Sequence, residues 1–528
     1  MEQLRFALLY DGARLERWHL GCLEELERVA ELVGIVVAQE SALHAPPRPR
    51  SRLLRWYGQR LAQAAAVSVA DRFAHLPASS LERGAVDFVL RLGRVAVPAG
   101  VAERARLGLW SFEHEAEGTE LPFFAEVYAG ADVTRAALVA IRSGRDVSVL
   151  VEGAFRTDKR SYTASRNRIQ DAITSWPARV CRRVGSGGAV DALNEAVTPA
   201  GESPAEGASL ALFAARIASR RAGLAWTRLF RHPQWNVGVL RRPVQTLLTT
   251  GTYTDEEVEW FPLEGRAGFL ADPFAIAREG RLHILCEYFD YRESSGRICA
   301  LEYSVDGFSS QPVDALSLAL HVSYPYVLDV PEGVFCVPET AAGKEVAMYR
   351  ASELPGSWSK AGVILPDFAG VDPTMFRHEE RWWLVCTRQG PQEDAELWVW
   401  HAPEIAGPWT PHDLNPVKTD VRGARPGGAP FVHDGTLYRP AQDCSKAYGG
   451  RITLQRVIRL TPTEFVEELA AVVEASSSSR FPLGPHTLTP IGNVVLVDGR
   501  RTIFVPVAFR AFLGIWGRAI VRRARRAG

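Results

Sequence analysis

Gly-Val-Asp-Pro-Thr-Met-Phe-Arg-His-Glu-Glu-Arg-Trp-Trp-Leu-Val-Cys at 370–386 decides the fold. A polar residue stands before a proline, a short apolar run follows, an acidic turn reverses the chain, and a second apolar run leads to cysteine. Phe-Leu-Ala-Asp-Pro-Phe at 269–274 opens a second copy, and the step from Asp272 to Cys286 equals that from Asp372 to Cys386, 14 residues. Weaker copies start at Ser-Tyr-Pro-Tyr (323–326), Ala-Arg-Pro-Gly-Gly (424–428) and Gly-Pro-His-Thr-Leu (484–488). Taken at the residue before each proline, the starts fall at Asp272, Tyr324, Asp372, Arg425 and Gly484, at intervals of 52, 48, 53 and 59 residues. A period near 50 with about four strands per unit is the mark of a β-propeller, here with five blades. Gln-Trp-Asn-Val-Gly at 234–238 precedes the first copy and is placed to close the ring onto blade five.

Upstream, the texture is different. Residues 5–10 read as a buried strand, 14–31 as a helix on the spacing of Leu15, Trp18, Leu23, Leu26 and Val29, and 32–38 as a second strand. Strand, helix, strand is a βαβ unit of a parallel sheet. Runs at 86–92 and 107–112 continue it. The expected fold class is therefore α/β plus all-β. Its parts are a Rossmann-type domain over 1–182, a Gly/Ser/Pro-rich linker and basic helix over 183–232, a propeller over 233–507, and a basic helix over 508–528.

Composition narrows the function classes. The 61 Lys and Arg balance 61 Asp and Glu, so the formal net charge is zero and no nucleic-acid partner is expected. Seven cysteines without a CxxC pair argue for a reducing compartment and against a zinc or disulfide framework; no metal is assigned. The start of the chain lacks a basic region followed by a long apolar one, so no signal peptide is expected and the location reads as cytoplasmic. Residues 501–528 carry seven arginines and no acid, interleaved with Phe509, Phe512, Trp516 and Ile520. Such a helix lies on an anionic membrane surface, which would place the protein peripherally on the inner face.

Equivalent positions in a propeller point into one central funnel. Asp272 and Asp372 there suit acid/base work on a sugar, with Glu339 and Glu287 as further carboxylates. Tyr324, Arg425, His486, Arg439, Asp443 and Asp290 complete the expected binding set. Arg425 and Arg439 are expected to take a carboxylate or phosphate, as in a uronate, a sugar phosphate or a nucleotide sugar. No cofactor is expected for this domain.

Three resemblances add to this reading. Phe-Leu-Ala-Asp-Pro-Phe, the run at 371–384 and Gly407-Pro408-Trp409 resemble five-bladed glycoside hydrolases of the arabinanase and β-xylosidase type. That likeness implies Asp272 as general base and Asp372 as orienting carboxylate. The Glu that serves those hydrolases as acid is replaced here by Arg425. The region 234–499 also resembles the N-terminal propeller domain of plant glucosamine inositolphosphorylceramide transferases and its bacterial relatives. Glu-Tyr-Phe-Asp-Tyr, Val-Pro-Glu-Thr, Asp-Val-Arg-Gly-Ala-Arg-Pro-Gly-Gly and Tyr-Arg-Pro-Ala-Gln-Asp-Cys-Ser carry the likeness. It implies a glycan or glycolipid context in the cell envelope, by glycosyl transfer, with hydrolysis or non-catalytic sugar binding as alternatives. Finally, Leu-Gly-Leu-Trp-Ser-Phe-Glu-His (107–114) and Asp146 resemble folate-dependent formyltransferases. This implies formyl-tetrahydrofolate and an amino-sugar substrate at Ser111, Glu113, His114 and Asp146. Because Ser111 and Glu113 replace the family's Asn and His, with His114 one residue late, we read a degenerate ligand-binding domain there.

Overall fold

The computed structural model describes residues 3–509 apart from 12–13, 38–55, 59, 62–64, 74–75, 77–81, 83, 116–120, 143–145, 186, 188–208 and 310. Most of the expected linker, and the basic tail beyond 509, lie outside the described residues. The chain divides into two compact units, Met1–Arg221 and Ala222–Gly528. Among the described residues no helix is long and apolar enough to cross a membrane.

The first unit is built on one six-stranded sheet. Its order is Ala30–Val37, Leu4–Tyr10, Phe88–Arg91, Leu109–Phe112, Val133–Ile141 and Val147–Arg156. The first four strands are parallel and the last two antiparallel, which makes the sheet mixed. Phe6 to Tyr10 and Phe88 to Arg91 are buried without alternation, as strands covered on both faces must be. The helix expected over 14–31 is shorter, Arg17–Leu26, because Arg14–Glu16 pairs instead as a strand with Ala66–Ser68. It buries Trp18, Cys22, Leu23 and Leu26 along one stripe.

Among the described residues the second unit contains five sheets of four or five strands each, antiparallel except where Thr252–Tyr253 joins Phe465–Ala475 in parallel. Blade one runs from Gly268–Arg278 to Val313–Leu316, blade two from Ser323–Val330 to Ser357–Leu365, and blade three from Gly370–His378 to Lys418–Thr419. Blade four joins Phe431–His433, Thr436–Asp443, Arg451–Leu460 and Phe465–Ala475 and takes Thr252–Tyr253 at its edge. Blade five is shared by the two ends of the unit. Leu488–Ile491 and Val494–Ile503 pair with His232–Leu240, which pairs with Val258–Trp260. The run at 234–238 thus closes the ring, and it does so as the third strand of blade five.

The core lies between blades. Ile284 and Cys286 pack toward blade five with Val237, Val239 and Leu496, while Leu285, on the other face of the same strand, packs toward blade two with Cys336 and Ala347. Blade three repeats this, with Leu384 and Cys386 facing blade two and Trp383 and Val385 facing blade four. Val495 and Val497 meet Ile452 and Leu454 across the last seam. Burial on both faces is why these strands read as continuous apolar runs. Apolar packing at the five seams leaves the axis to polar side chains.

Blades four and five approach closely at Gly428, whose φ is +127° and where an added Cβ would sit 1.9 Å from the Leu488 carbonyl oxygen. Gly428→Ala is expected to lower the melting midpoint of the propeller by ~5 °C or more, measured by calorimetry, because neither backbone has room to yield.

Candidate active site

Each of the first three inner strands carries the same irregularity. Asp272, Tyr324 and Asp372 have φ of 54°, 46° and 50°. The ladder to the next strand slips at each, between Ala271 and Phe274, Ser323 and Tyr326, and Val371 and Thr374. A bulge of this kind leaves backbone groups unpaired and re-aims a side chain. A left-handed residue other than glycine costs about 1–3 kcal/mol and persists only where its surroundings hold it.

Here the holding groups are carboxylates from neighbouring blades. The Asp272 N–H donates to Asp498 Oδ2 of blade five at 3.1 Å. The Tyr324 N–H donates to Asp272 Oδ2 at 3.2 Å, and the Asp372 N–H to Glu339 Oε2 of blade two at 3.2 Å. Asp372 Oδ2 then accepts from Arg425 Nε at 2.6 Å and Gln442 Nε2 at 2.8 Å, both from the fourth repeat. The Tyr324 hydroxyl bonds Thr374 Oγ1 at 2.9 Å and accepts from the Gly428 N–H at 2.8 Å. Asp272 Oδ1 accepts from the Thr487 hydroxyl at 2.8 Å and lies 3.3 Å from His486 Nε2. His486 Nδ1 lies 2.5 Å from Asp498 Oδ2, and its ring stacks on Trp235 with centroids 4.0 Å apart.

Four of the register positions, Asp272, Tyr324, Asp372 and Arg425, together with His486 two residues past the fifth, Gly484, form one buried network. Glu339 joins it, and Glu287 lies within its field. Three expected members stand apart. Arg439 is a correction: it is turned into blade four, where Nε and Nη2 meet Glu467, Nη2 also meets the Gly423 carbonyl and Nη1 the Ala424 carbonyl, so its guanidinium serves the blade and not the axis. Asp443 holds the Ser445 N–H at 3.0 Å and Arg451 Nε at 2.9 Å. Asp290 caps a turn through the Arg292 N–H at 2.7 Å. Arg425, expected as an anion acceptor, is bound to Asp372 and, through Nη1, to Asp394 at 3.2 Å.

The N-terminal set does not assemble either. Ile141 pairs with Leu109, and the turn carrying Asp146 follows it, whereas His114 lies past Phe112 at the other end of that strand. Ser111 is buried in the strand, Glu113 and His114 begin a 3-10 turn, and Asp146 is exposed. Direct cooperation of Asp146 with His114 is thereby ruled out.

Sequence reading missed Asp498, Gln442, Thr487 and Asp394. Asp498 had a signal: it ends the apolar run Val-Val-Leu-Val, where an acid needs a partner. It is fully buried, and besides Asp272 it serves the His486 and Thr487 N–H groups at 2.8 and 3.1 Å. Asp272, His486 and Asp498 each offer one metal-ligand atom within 4.8 Å of the others. Burial pulls the His486 pKa down, but Asp498 and Asp272 outweigh it and raise it.

Electrostatics separates the carboxylates. Burial pushes Asp272 up to about 6, against the pull of His486 and with help from Asp498 and Asp372. Burial, then the charges of Asp272, Glu339 and Asp372, drive Glu287 well above the carboxylate range. Burial and Asp372 drive Glu339 up likewise, with Arg425 opposing. Burial and neighbouring charge thus raise all three carboxylates, Asp272 to about 6 and Glu287 and Glu339 well above the carboxylate range.

Fold and site define a five-bladed β-propeller with a funnel of coupled carboxylates. Residues 260–482 match the family described as glucosamine inositolphosphorylceramide transferase 1, N-terminal. Glucosamine inositolphosphorylceramide transferase 1 of Oryza sativa subsp. japonica is 33% identical over 273 residues, 48% of this chain and 37% of that protein. The Arabidopsis thaliana protein of the same name is 34% identical over 221 residues, 40% of this chain and 29% of that protein. The chain thus spans about a third of the length of the curated relatives it matches. Among solved structures, Zg3597, a family 117 glycoside hydrolase produced by Zobellia galactanivorans, is 15% identical over 52% of this chain and 91% of that chain, with a TM-score of 0.33. The GH43_1 enzyme from Xanthomonas citri is 12% identical over 45% and 83% of the two chains, with a TM-score of 0.32.

Removing Asp372 strands the buried Arg425 with Asp394 as its remaining carboxylate and frees the Gln442 amide. Asp372→Ala is expected to cost about 3–5 kcal/mol in chemical denaturation of the propeller, far more than an exposed Asp→Ala change.

Proposed function

We propose that the propeller funnel is the active site of a carbohydrate-active enzyme of glycan or glycolipid assembly, and that it transfers a glycosyl group. The observation that carries this reading is the divided set of carboxylates in one buried network: Asp272 near 6, Glu287 and Glu339 held as acids. The names of the relatives over 260–482 support the substrate class.

In this reading Asp272 is the general base. Its Oδ1 and Oδ2 are fixed by Thr487 and the Tyr324 N–H, so the carboxylate is oriented before substrate arrives. It takes the proton of the acceptor hydroxyl as that oxygen attacks the anomeric carbon. Glu287 is the acid. His321 Nε2 lies 3.7 Å from its Oε1, and the Glu287 proton goes to the departing oxygen as the old glycosidic bond breaks. Glu339 is a positioning residue, because it caps the Asp372 N–H and shares a hydrogen bond with the Asp372 side chain. Water in place of the acceptor hydroxyl would turn the same steps into hydrolysis.

The test is turnover of glycoside and nucleotide-sugar donors by the full chain, with products read by mass spectrometry. Asp272→Asn and Glu287→Gln are each expected to lower kcat by about 10²–10⁴ while the fold is kept. Glu339→Gln should lower it less. A base that must be ionised makes turnover fall about tenfold per pH unit below about 6, and Asp272→Asn should abolish that limb. Full turnover in both Asp272→Asn and Glu287→Gln would reject the funnel as the catalytic site.

A further inference from the structure

The Met1–Arg221 unit carries its own cluster of buried ionisable groups. Its parallel strands lie in the order Ala30–Val37, Leu4–Tyr10, Phe88–Arg91, Leu109–Phe112, so the direction of winding reverses between Leu4–Tyr10 and Phe88–Arg91. In open parallel sheets, ligands bind beyond the carboxyl ends of the strands at such a reversal. The segments that leave those ends here bring Glu16, His19, His114 and Glu115 together, and the helix Tyr162–Ile173 adds Arg166.

Most of the cluster is satisfied internally. His19 Nε2 lies 2.7 Å from Glu115 Oε1, and the Glu16 N–H donates to His19 Nδ1 at 3.1 Å. Glu115 Oε2 accepts from the Gly93 N–H at 2.9 Å. Glu16 Oε2 is shared by Arg166, by Gln170 at 3.2 Å and by the Trp18 indole at 3.1 Å. Two side chains are left over. His114 is only 8% exposed, and neither ring nitrogen has a partner. Arg166 is 5% exposed, and its Nε–H has none. Buried polar groups normally find partners, because leaving them unpaired is costly. Trp18 joins the two: its ring lies against that of His114, and its indole N–H shares Glu16 Oε2 with Arg166.

We propose that this crevice binds a small molecule through an oxyanion, a carboxylate or a phosphate, gripped by the Arg166 Nε–H and the His114 ring N–H. A guanidinium edge beside a neutral imidazole N–H presents two donors to two oxygens. Burial holds the imidazole pKa at about 4, with Glu115 opposing and Arg166 and Arg94 assisting, so the ring is neutral and offers one donor and one acceptor. Trp18, Phe112 and Phe123 surround it with ring centroids 5.6, 5.7 and 4.7 Å away, an apolar wall for the rest of the ligand. The proposal is independent of the chemistry assigned to the propeller.

The test uses the full chain with ¹⁵N-labelled histidine rings, titrated with sodium phosphate, sodium acetate, and sodium chloride as control. His114→Asn identifies the signals. The His114 nitrogens are expected to shift saturably with phosphate or acetate and not with chloride, and the anion that acts tells phosphate from carboxylate recognition. Arg166→Lys keeps a charge for Glu16 but loses the Nε–H, and should weaken that binding about tenfold without moving the melting midpoint. His114 signals unmoved at ~50 mM of both anions, or an unchanged midpoint of titration in Arg166→Lys, would overturn the proposal.

Discussion

The backbone N–H of a left-handed residue, freed from its ladder and buried at the axis, is the constraint on which the propeller site depends. Three blades produce such a group, at Asp272, Tyr324 and Asp372. A buried N–H without an acceptor costs about 1–3 kcal/mol on top of the local strain. Each is met by a carboxylate of another blade: Asp498, Asp272 and Glu339. The carboxylates are therefore structural before they are chemical. They join blade five to one, one to two and two to three, at the one place where apolar packing does not reach.

That duty explains the titration behaviour. A carboxylate buried at the axis to cap a backbone donor is desolvated, and desolvation is the leading cause of the upward shifts of Asp272 and Glu339, as it is for the buried Glu287 beside them. What separates them is the company each keeps. His486 lies 3.3 Å from Asp272 and limits its rise, whereas Glu287 faces three other acids. Glu467 shows the opposite outcome of the same burial: Arg439 and Lys418 overcome desolvation and bring its pKa below the ordinary value. Blade four thus holds a closed ion cluster, and the axis holds an open one.

The blades were legible because their signal is repetition. Asp272 and Asp372 stand in the same register before proline, and the structure gives them the same φ and the same slip. Arg425 was legible from register alone, and His486 from its place two residues past Gly484. Arg439 was not, because a strand's two faces alternate and sequence does not say which face turns inward. Asp498 and Gln442 lie outside the repeated motif: ring closure brings Asp498 to Asp272, and the meeting of blades three and four brings Gln442 to Asp372. The N-terminal strands were legible as apolar runs. The reach of Asp146 toward His114 was not, since the antiparallel pairing of Leu109 with Ile141 sends that turn the other way.

Arg425 ties the fourth repeat to the third across the axis. Its Nε donates to Asp372 Oδ2 at 2.6 Å, and Gln442 donates to the same oxygen. Asp372 is also the largest charge acting on Glu339, which it drives up together with burial while Arg425 opposes the rise. The arginine that opens the fourth repeat is thus committed to Asp372 and Asp394, and what it adds at the axis is a bond between blades.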